Sequence, residues 1–510
     1  MHRLFGIHEI IEKISEAVLV QPHGLDRRSL VSVLKTCRSF SVVATRLLWR
    51  DLHNLVPLIL TMPDDLLGVE SWDLDNPSSK FMPRSITFRR DVVPSDWERF
   101  DLYAPLVRHL SVIERLEQSP ASFLVLDPLI YHALERRNHV LLPNLSTMVA
   151  SRSDLPAMTF LLTSPIHRLK VHMHPSQIPQ LYDLLQFDIP LNMTRLTSLH
   201  LAQSGMPWSQ EHRSIIGPAL ATLLRELDLE EFECDWFNLE DEHVELLLKM
   251  PALRVASIFK SVAALDRVLL LHPIGKTPRL RSFTIWADTI VPRHLAGILV
   301  SLRPGQLEAF SVHPTGPNPS CTTAELAELT RAIAESCAPA HFAQLCLEIW
   351  QGVGPVRHAP ADFGVLHPLA AFAHLRQLVL PSHALDLTDV EVETLARAWP
   401  RLEVLAVNTS AAAPRATLRS LLALATHCRA LRSVTFQFAG GATFDDAELA
   451  SAAGHGLHEL SVGCSTAPDA GAVAAFLRVV FPKLALLLWM PGPLGNANNA
   501  LWEQVEAEIQ

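Results

Sequence analysis

The sequence predicts an α/β solenoid, a stack of strand–helix repeats preceded by a small three-helix module. Three observations carry that prediction. A hexapeptide of the form apolar-x-x-apolar-x-apolar returns at a steady interval through most of the chain. Between its copies the apolar period changes from that of a strand to that of a helix. The first fifty residues lack this metre and keep only helical spacing.

Taken in order, the N-terminal elements come first. Ile7, Ile10, Ile11, Ile14 and Val18 fall at helical spacing, as do Leu30, Val33, Leu34 and Cys37, and then Phe40, Val43, Ala44, Leu47 and Leu48. Pro22-His23-Gly24 separates the first of these helices from the second. The module covers residues 1–52, residues 53–80 form a connection, and the repeat array occupies 81–510. Loose copies of the hexapeptide stand at Val107-x-x-Leu110-x-Val112 and Leu145-x-x-Met148, and a weaker one starts at Ile166.

Clear copies follow at Leu196, Leu224, Leu253, Leu280, Leu307, Phe342, Leu375, Leu402, Leu431, Leu457 and Leu484. From Ile166 to Leu484 the eleven intervals average about 29 residues, within the range of strand–helix repeat families. The second half of each copy alternates, which marks a strand with one face buried. Thr388-x-x-Glu391 and Thr322-x-x-Glu325 are capping boxes that open helices. Met250-Pro251, Thr277-Pro278, Trp399-Pro400 and Phe481-Pro482 stop helices just before the next strand, because proline cannot continue a helix.

These hexapeptides resemble leucine-rich repeats, and Leu387-Thr-Asp…Trp399-Pro-Arg-Leu402-Glu-Val-Leu405-Ala-Val407 carries the likeness best. The resemblance implies a leucine-rich-repeat horseshoe in which stacked copies share a core that no single copy could bury. The family's asparagine after the strand is mostly absent here. The N-terminal order Ile7-x-Glu9-Ile10-Ile11…Ile14, Leu30…Leu34-x-x-Cys37-Arg38-x-Phe40…Ala44…Leu48-Trp49-x-x-Leu52 resembles an F-box, in the variant common in fungi. His8 stands where that family usually has proline. The resemblance implies docking on a Skp adaptor through Ile7, Ile10, Ile14, Leu34, Cys37, Phe40 and Trp49, in a complex with a cullin scaffold. The other reading of the module is a helical cap that seals the first repeat, which solenoids need in any case.

Composition narrows the function classes. The 510 residues are 49% hydrophobic and 19% charged, which excludes a disordered chain. With 43 Lys+Arg against 53 Asp+Glu, the net charge of −10 without a basic block argues against nucleic acid or an anionic membrane as main partner. Seven scattered cysteines without a CxxC pair fit a reduced, intracellular protein. Charged residues from Glu9 to Glu16 interrupt any signal-peptide core, so a cytoplasmic or nuclear location is expected. Without a secretory signal, the sequons at Asn144, Asn192 and Asn408 read as chance.

No chemical motif survives inspection. Gly275-Lys276-Thr277 lacks the upstream glycine of a phosphate loop, since Leu270 stands there. His8-Glu9 lacks the second histidine of a zinc-protease helix, with Glu12 in its place. Gly352-Val-Gly354 runs into Pro355 and has no third glycine. His167, His172 and His174 lie close together without a cysteine or carboxylate and read as surface histidines. The acidic run Glu230, Glu231, Glu233, Asp235, Glu240, Asp241 and Glu242 reads as solvated, able to attract basic partners. No catalytic residue, metal site or cofactor is expected.

Alternation predicts which residues leave the sheet toward solvent: Ala202, Glu230, Phe259, Trp286, His313, Glu348, Pro381, Asn408, Gln437, Gly463 and Met490. The middle of this row is aromatic, the kind of residue interfaces use as anchors. Phe259, Trp286, His313, Glu348 and Trp350 are therefore the candidate contacts for a protein substrate. The combined expectation is a non-enzymatic substrate receptor of a Skp–cullin–F-box ubiquitin ligase. The alternative is a repeat scaffold with a helical cap and no ligase role.

Overall fold

The computed structural model describes residues 8–21, 24–25, 27–70, 84–112, 124–137, 140–150, 156–173, 178–203, 210–271, 279–316, 321–348, 362–384, 386–408, 414–467, 469–490 and 496–509. Ile7, His174, Trp350, the Gly275–Thr277 segment and the Gly352–Gly354 loop lie outside the described residues. The chain forms two compact units, Met1–Leu229 and Glu230–Gln510.

The first unit opens with helices α1 (His8–Leu19), α2 (Arg27–Leu34) and α3 (Arg38–Arg50). Ile11, Leu19, Leu30, Val43, Ala44 and Leu47 form their buried core, with Leu34, Phe40 and Leu48 packed against it. Helix α3 leads straight into the Asp51–Leu52 strand, which pairs in parallel with His109–Val112. Thr147–Ala150, Arg168–Met173 and Ser198–Gln203 add further parallel strands. The loose copies at Val107 and Leu145 thus become strands of this sheet. Residues 53–70 carry a short helix, Val56–Ile59, and the Leu67–Glu70 strand of a second, three-stranded sheet.

The second unit is an α/β solenoid in which parallel strands alternate with helices. Its ladder runs in register from Phe232 through Ala256, Phe283, Phe310, Leu345, Leu378, Leu405, Val434 and Leu460 to Leu487. All ten side chains are buried. Cys234, Ile258, Ile285, Val312 and Leu347 form a second buried row two residues on, as the period of a strand requires. The expected capping boxes are present: Thr322 and Glu325 exchange bonds of 3.2 and 2.9 Å, and Thr388 and Glu391 of 3.4 and 2.7 Å. A third, Asp445 with Glu448, opens Asp446–Ala452.

The repeat assigned to Leu224 is displaced. Leu224 belongs to the Gln210–Glu226 helix, and the strand begins at Glu231. Leu229, Phe232 and Cys234 occupy the hexapeptide positions, so Leu227 is only half-buried and Asp235, not Glu230, follows the last apolar residue. Leu224-x-x-Leu227-x-Leu229 satisfies helical and strand spacing at once, and the buried Leu220 and Leu223 settle it as helix.

Three members of the expected outward row are buried. Ala202 is too short to clear the sheet, and the Ser433–Thr435 strand ends before Gln437. Gly463 sits at a register shift with φ of 52°, a left-handed conformation that glycine adopts freely. Nothing is described of the Pro381 and Asn408 side chains.

Histidines are not confined to the surface. His243 is buried and its Nδ1 accepts the Glu240 amide at 3.0 Å. His455 is also buried; its Nδ1 accepts the Leu457 amide at 3.2 Å, so its Nε2 carries the proton and donates to the Cys428 carbonyl at 3.0 Å.

Two outcomes are expected. Leu405→Ala opens a cavity in the ladder and should cost about 2–5 kcal/mol in urea unfolding, whereas Leu227→Ala should cost about 1 kcal/mol or less. Burial also pushes the His455 imidazole below its ordinary pKa. The unfolded chain therefore binds a proton that the native one refuses, and stability should hold above about pH 6.5 and fall below it. Comparing urea midpoints at about pH 5 and pH 7, His455→Gln should show a smaller acid loss than the natural chain; an equal loss would assign it to other groups.

Candidate functional site

The site is built by two facts of strand geometry. Residues two apart on a strand share a face, and neighbouring parallel strands stand about 4.8 Å apart. Phe259 is in register with Trp286, and Trp286 with His313. The Glu348 amide bonds to the Val312 carbonyl at 3.0 Å, which sets Glu348 beside His313. Four of the five expected substrate contacts are therefore brought together, and all four are partly exposed.

Their side chains interlock. The Trp286 and His313 rings stack at 4.4 Å and 25°. Trp286 Nε1 donates to Ser257 Oγ at 3.2 Å, which orients the indole from the preceding strand. His313 Nδ1 lies 2.8 Å from Glu348 Oε2. On the other side of that carboxylate, Cys346 Sγ lies 3.8 Å from Glu348 Oε1. Burial, reinforced by the Glu348 charge, pushes the Cys346 thiol up to about 12. At neutral pH the sulfur is a protonated thiol and a weak nucleophile.

Cys346 and Ser257 were not among the expected site residues. Cys346 stands between Leu345 and Leu347, where a cysteine reads as one more apolar residue. Its position two before Glu348 was the available signal, since that places both on one face. The other cysteines are free as well, and Cys234, Cys321, Cys337 and Cys428 are buried with thiols pushed up to about 12 by burial.

Two members of the acidic run, Glu230 and Asp241, are paired within the chain. Asp241 meets the buried Lys260 ammonium at 2.9 Å, and Lys260 also donates to the Leu239 carbonyl at 2.6 Å. Glu230 pairs with Arg254 at 3.6 Å.

The N-terminal module presents a second surface. Helix α1 carries two apolar stripes: Ile11 and Leu19 face the core, while Ile10 is half-buried and Ile14 is 41% exposed. Val31 and Val42, on α2 and α3, are 39% and 52% exposed. Leu34 and Phe40 are half-buried against the core, and Cys37, also half-buried, precedes α3 without a side-chain cap. Trp49 turns to stack on Tyr103 at 4.5 Å and 16°. The Arg50 guanidinium bridges Glu16 at 3.3 Å and Asp51 at 3.1 Å. Among the described residues no helix is long and apolar enough to cross a membrane.

No family model matches the chain, and no curated protein does. Among solved structures, the yeast Rad7 and Elc1 complex contains a similar chain, 13% identical, with 71% of this chain and 84% of that chain covered and a TM-score of 0.38.

Because Trp286 stands on the solvent side of the sheet, Trp286→Ala should lower stability well short of the roughly 2–5 kcal/mol expected for a buried large-to-small change. Thermal unfolding beside Leu405→Ala checks this. Equal destabilisation would make Trp286 a core residue and remove it from any binding face.

Proposed function

We propose that this protein is the substrate-recognition subunit of a Skp–cullin–F-box ubiquitin ligase. The N-terminal helices dock on the Skp adaptor, and the sheet face around Phe259, Trp286, His313 and Glu348 holds a protein substrate. Transfer chemistry belongs to the partner subunits, and the site is a cytoplasmic or nuclear binding surface. The observation that supports this reading is that each of the three helices keeps an apolar side chain exposed outside the closed core. A cap needs one apolar face, and Ile11, Leu19, Leu30, Val43, Ala44 and Leu47 already supply a closed core. Ile14, Val31 and Val42 remain exposed on all three helices, which a cap alone does not require.

The test separates docking from folding. With the full chain co-expressed beside a Skp adaptor, Ile14→Asp combined with Val42→Asp should cut adaptor capture by about 30-fold, the equivalent of one hot-spot loss of about 2 kcal/mol. Its thermal midpoint should stay near that of the natural chain, because both positions are exposed. Ile11→Asp should instead unfold the module. Full capture by the double variant, or no capture by the natural chain, leaves the repeat-scaffold reading in its place.

A further inference from the structure

His313, Cys346 and Glu348 are a donor set as well as a contact surface. Their imidazole nitrogen, thiol sulfur and carboxylate oxygen all lie within 4.8 Å of one another. Two of the separations are 2.8 Å, from His313 Nδ1 to Glu348 Oε2, and 3.8 Å, from Cys346 Sγ to Glu348 Oε1. A tetrahedral ion with zinc's bond lengths, about 2.0–2.1 Å to nitrogen or oxygen and about 2.3 Å to sulfur, holds such donors about 3.3–3.6 Å apart. The His313–Glu348 separation is about half an ångström shorter than that spacing, and the Cys346–Glu348 separation, to the other carboxylate oxygen, is a few tenths longer.

The surroundings hold the donors for this task. The Ala309–Pro314 and Gln344–Leu347 strands are locked in register, with Ser311 opposite Cys346 and Val312 opposite Leu347. The His313 ring is stacked on Trp286, and Ser257 holds Trp286 in turn. Outer contacts of this kind fix ligand orientation at metal centres.

We propose that His313, Cys346 and Glu348 bind a divalent transition-metal cation of the zinc class, with three protein ligands and a fourth position open to solvent. Sulfur and imidazole donors favour such ions over magnesium or calcium, which take oxygen ligands. As the metal–sulfur bond forms, the Cys346 thiol proton passes to solvent. Glu348 is 43% exposed at its side chain, so the fourth position faces outward, where water or a donor atom from a bound protein can complete it. The proposal does not depend on the ligase reading.

Cobalt(II) is the probe, titrated into the metal-free full chain and read by absorption. The expected result is one equivalent bound, with a thiolate-to-cobalt charge-transfer band and tetrahedral d–d bands, both bleached by equimolar zinc and unaffected by magnesium. Cys346→Ser should abolish the charge-transfer band, while Cys464→Ser should leave it intact. His313→Asn and Glu348→Gln should weaken cobalt binding by more than about 10-fold, and Trp286→Ala, which removes an outer support, by about 10-fold with recovery in Trp286→Phe. Circular dichroism of each metal-free variant checks the fold, and His313→Asn carries the test if Cys346→Ser is destabilised. Absence of the band at one equivalent of cobalt, or a band that survives Cys346→Ser, overturns the proposal.

Discussion

A strand followed by a helix has one apolar face and nothing of its own to cover it, and everything else in the second unit follows from that constraint. The face can be buried only against the next copy, so every copy must present its apolar residues at the same height. The in-register row from Phe232 to Leu487 is the result, ten strands deep. Helix ends pose a related problem, because the last carbonyls of a helix have no partner within it. Side chains from the following repeat supply some of them: Trp399 Nε1 donates to the Leu369 carbonyl at 3.0 Å, and Cys428 Sγ to the Ala396 carbonyl at 3.5 Å. His455 continues the series on the Cys428 carbonyl, whereas Trp502 Nε1 donates at 2.8 Å to the Ser465 carbonyl in the turn after a strand. The donors are indole, thiol and imidazole groups at one end of successive helices rather than one repeated residue type.

The same constraint decides where function has room. Alternate residues of every strand are committed to the shared core, and the residues between them are released from packing. Strand register then brings released residues from separate repeats to contact distance without a loop to hold them. Ser257, Trp286, His313, Cys346 and Glu348 come from four consecutive strands and form one connected set. A site on a rigid ladder is held more tightly than one on a loop. Stacking and hydrogen bonding fix each side chain's direction, whereas exposed ion pairs at the strand entrances, such as Arg281 with Glu308 at 3.3 Å, add little.

Much of this was legible in the sequence, for a physical reason. Repeat length, capping boxes and helix-stopping prolines are local signals, and Thr388 with Glu391 bonds as its spacing predicts. Alternation also placed Phe259, Trp286, His313 and Glu348 on one face. Reading failed where a local signal had two meanings. The Leu224 triplet fits both a helix and a strand, and only packing of Leu220 and Leu223 decides it. Cys346 counts as apolar by type although it shares Glu348's face. Gly463 and Gln437 fell outside the outward row because a register shift and an early strand end interrupt the alternation on which the prediction rested. Lys260 was invisible as the partner of the acidic run, since its pairing with Asp241 is made by tertiary contact.

The two readings of the N-terminal module, cap and docking surface, make demands on different residues of the same helices. Helix α3 continues without a loop into the Asp51–Leu52 strand, and Trp49 stacks on Tyr103, so its C-terminal end is packed as a cap would be. Arg27 Nη2 reinforces that junction by donating to the Asp51 carbonyl at 2.6 Å. Capping therefore accounts for Trp49, Arg50 and Arg27, and these contacts do not use Ile14 or Val42. Replacing Ile14 or Val42 by a polar residue would cost such a cap nothing, since neither side chain contributes to the buried core. The buried core and the packed end of α3 are what folding asks of the module, and neither fixes the polarity of Ile14, Val31 or Val42.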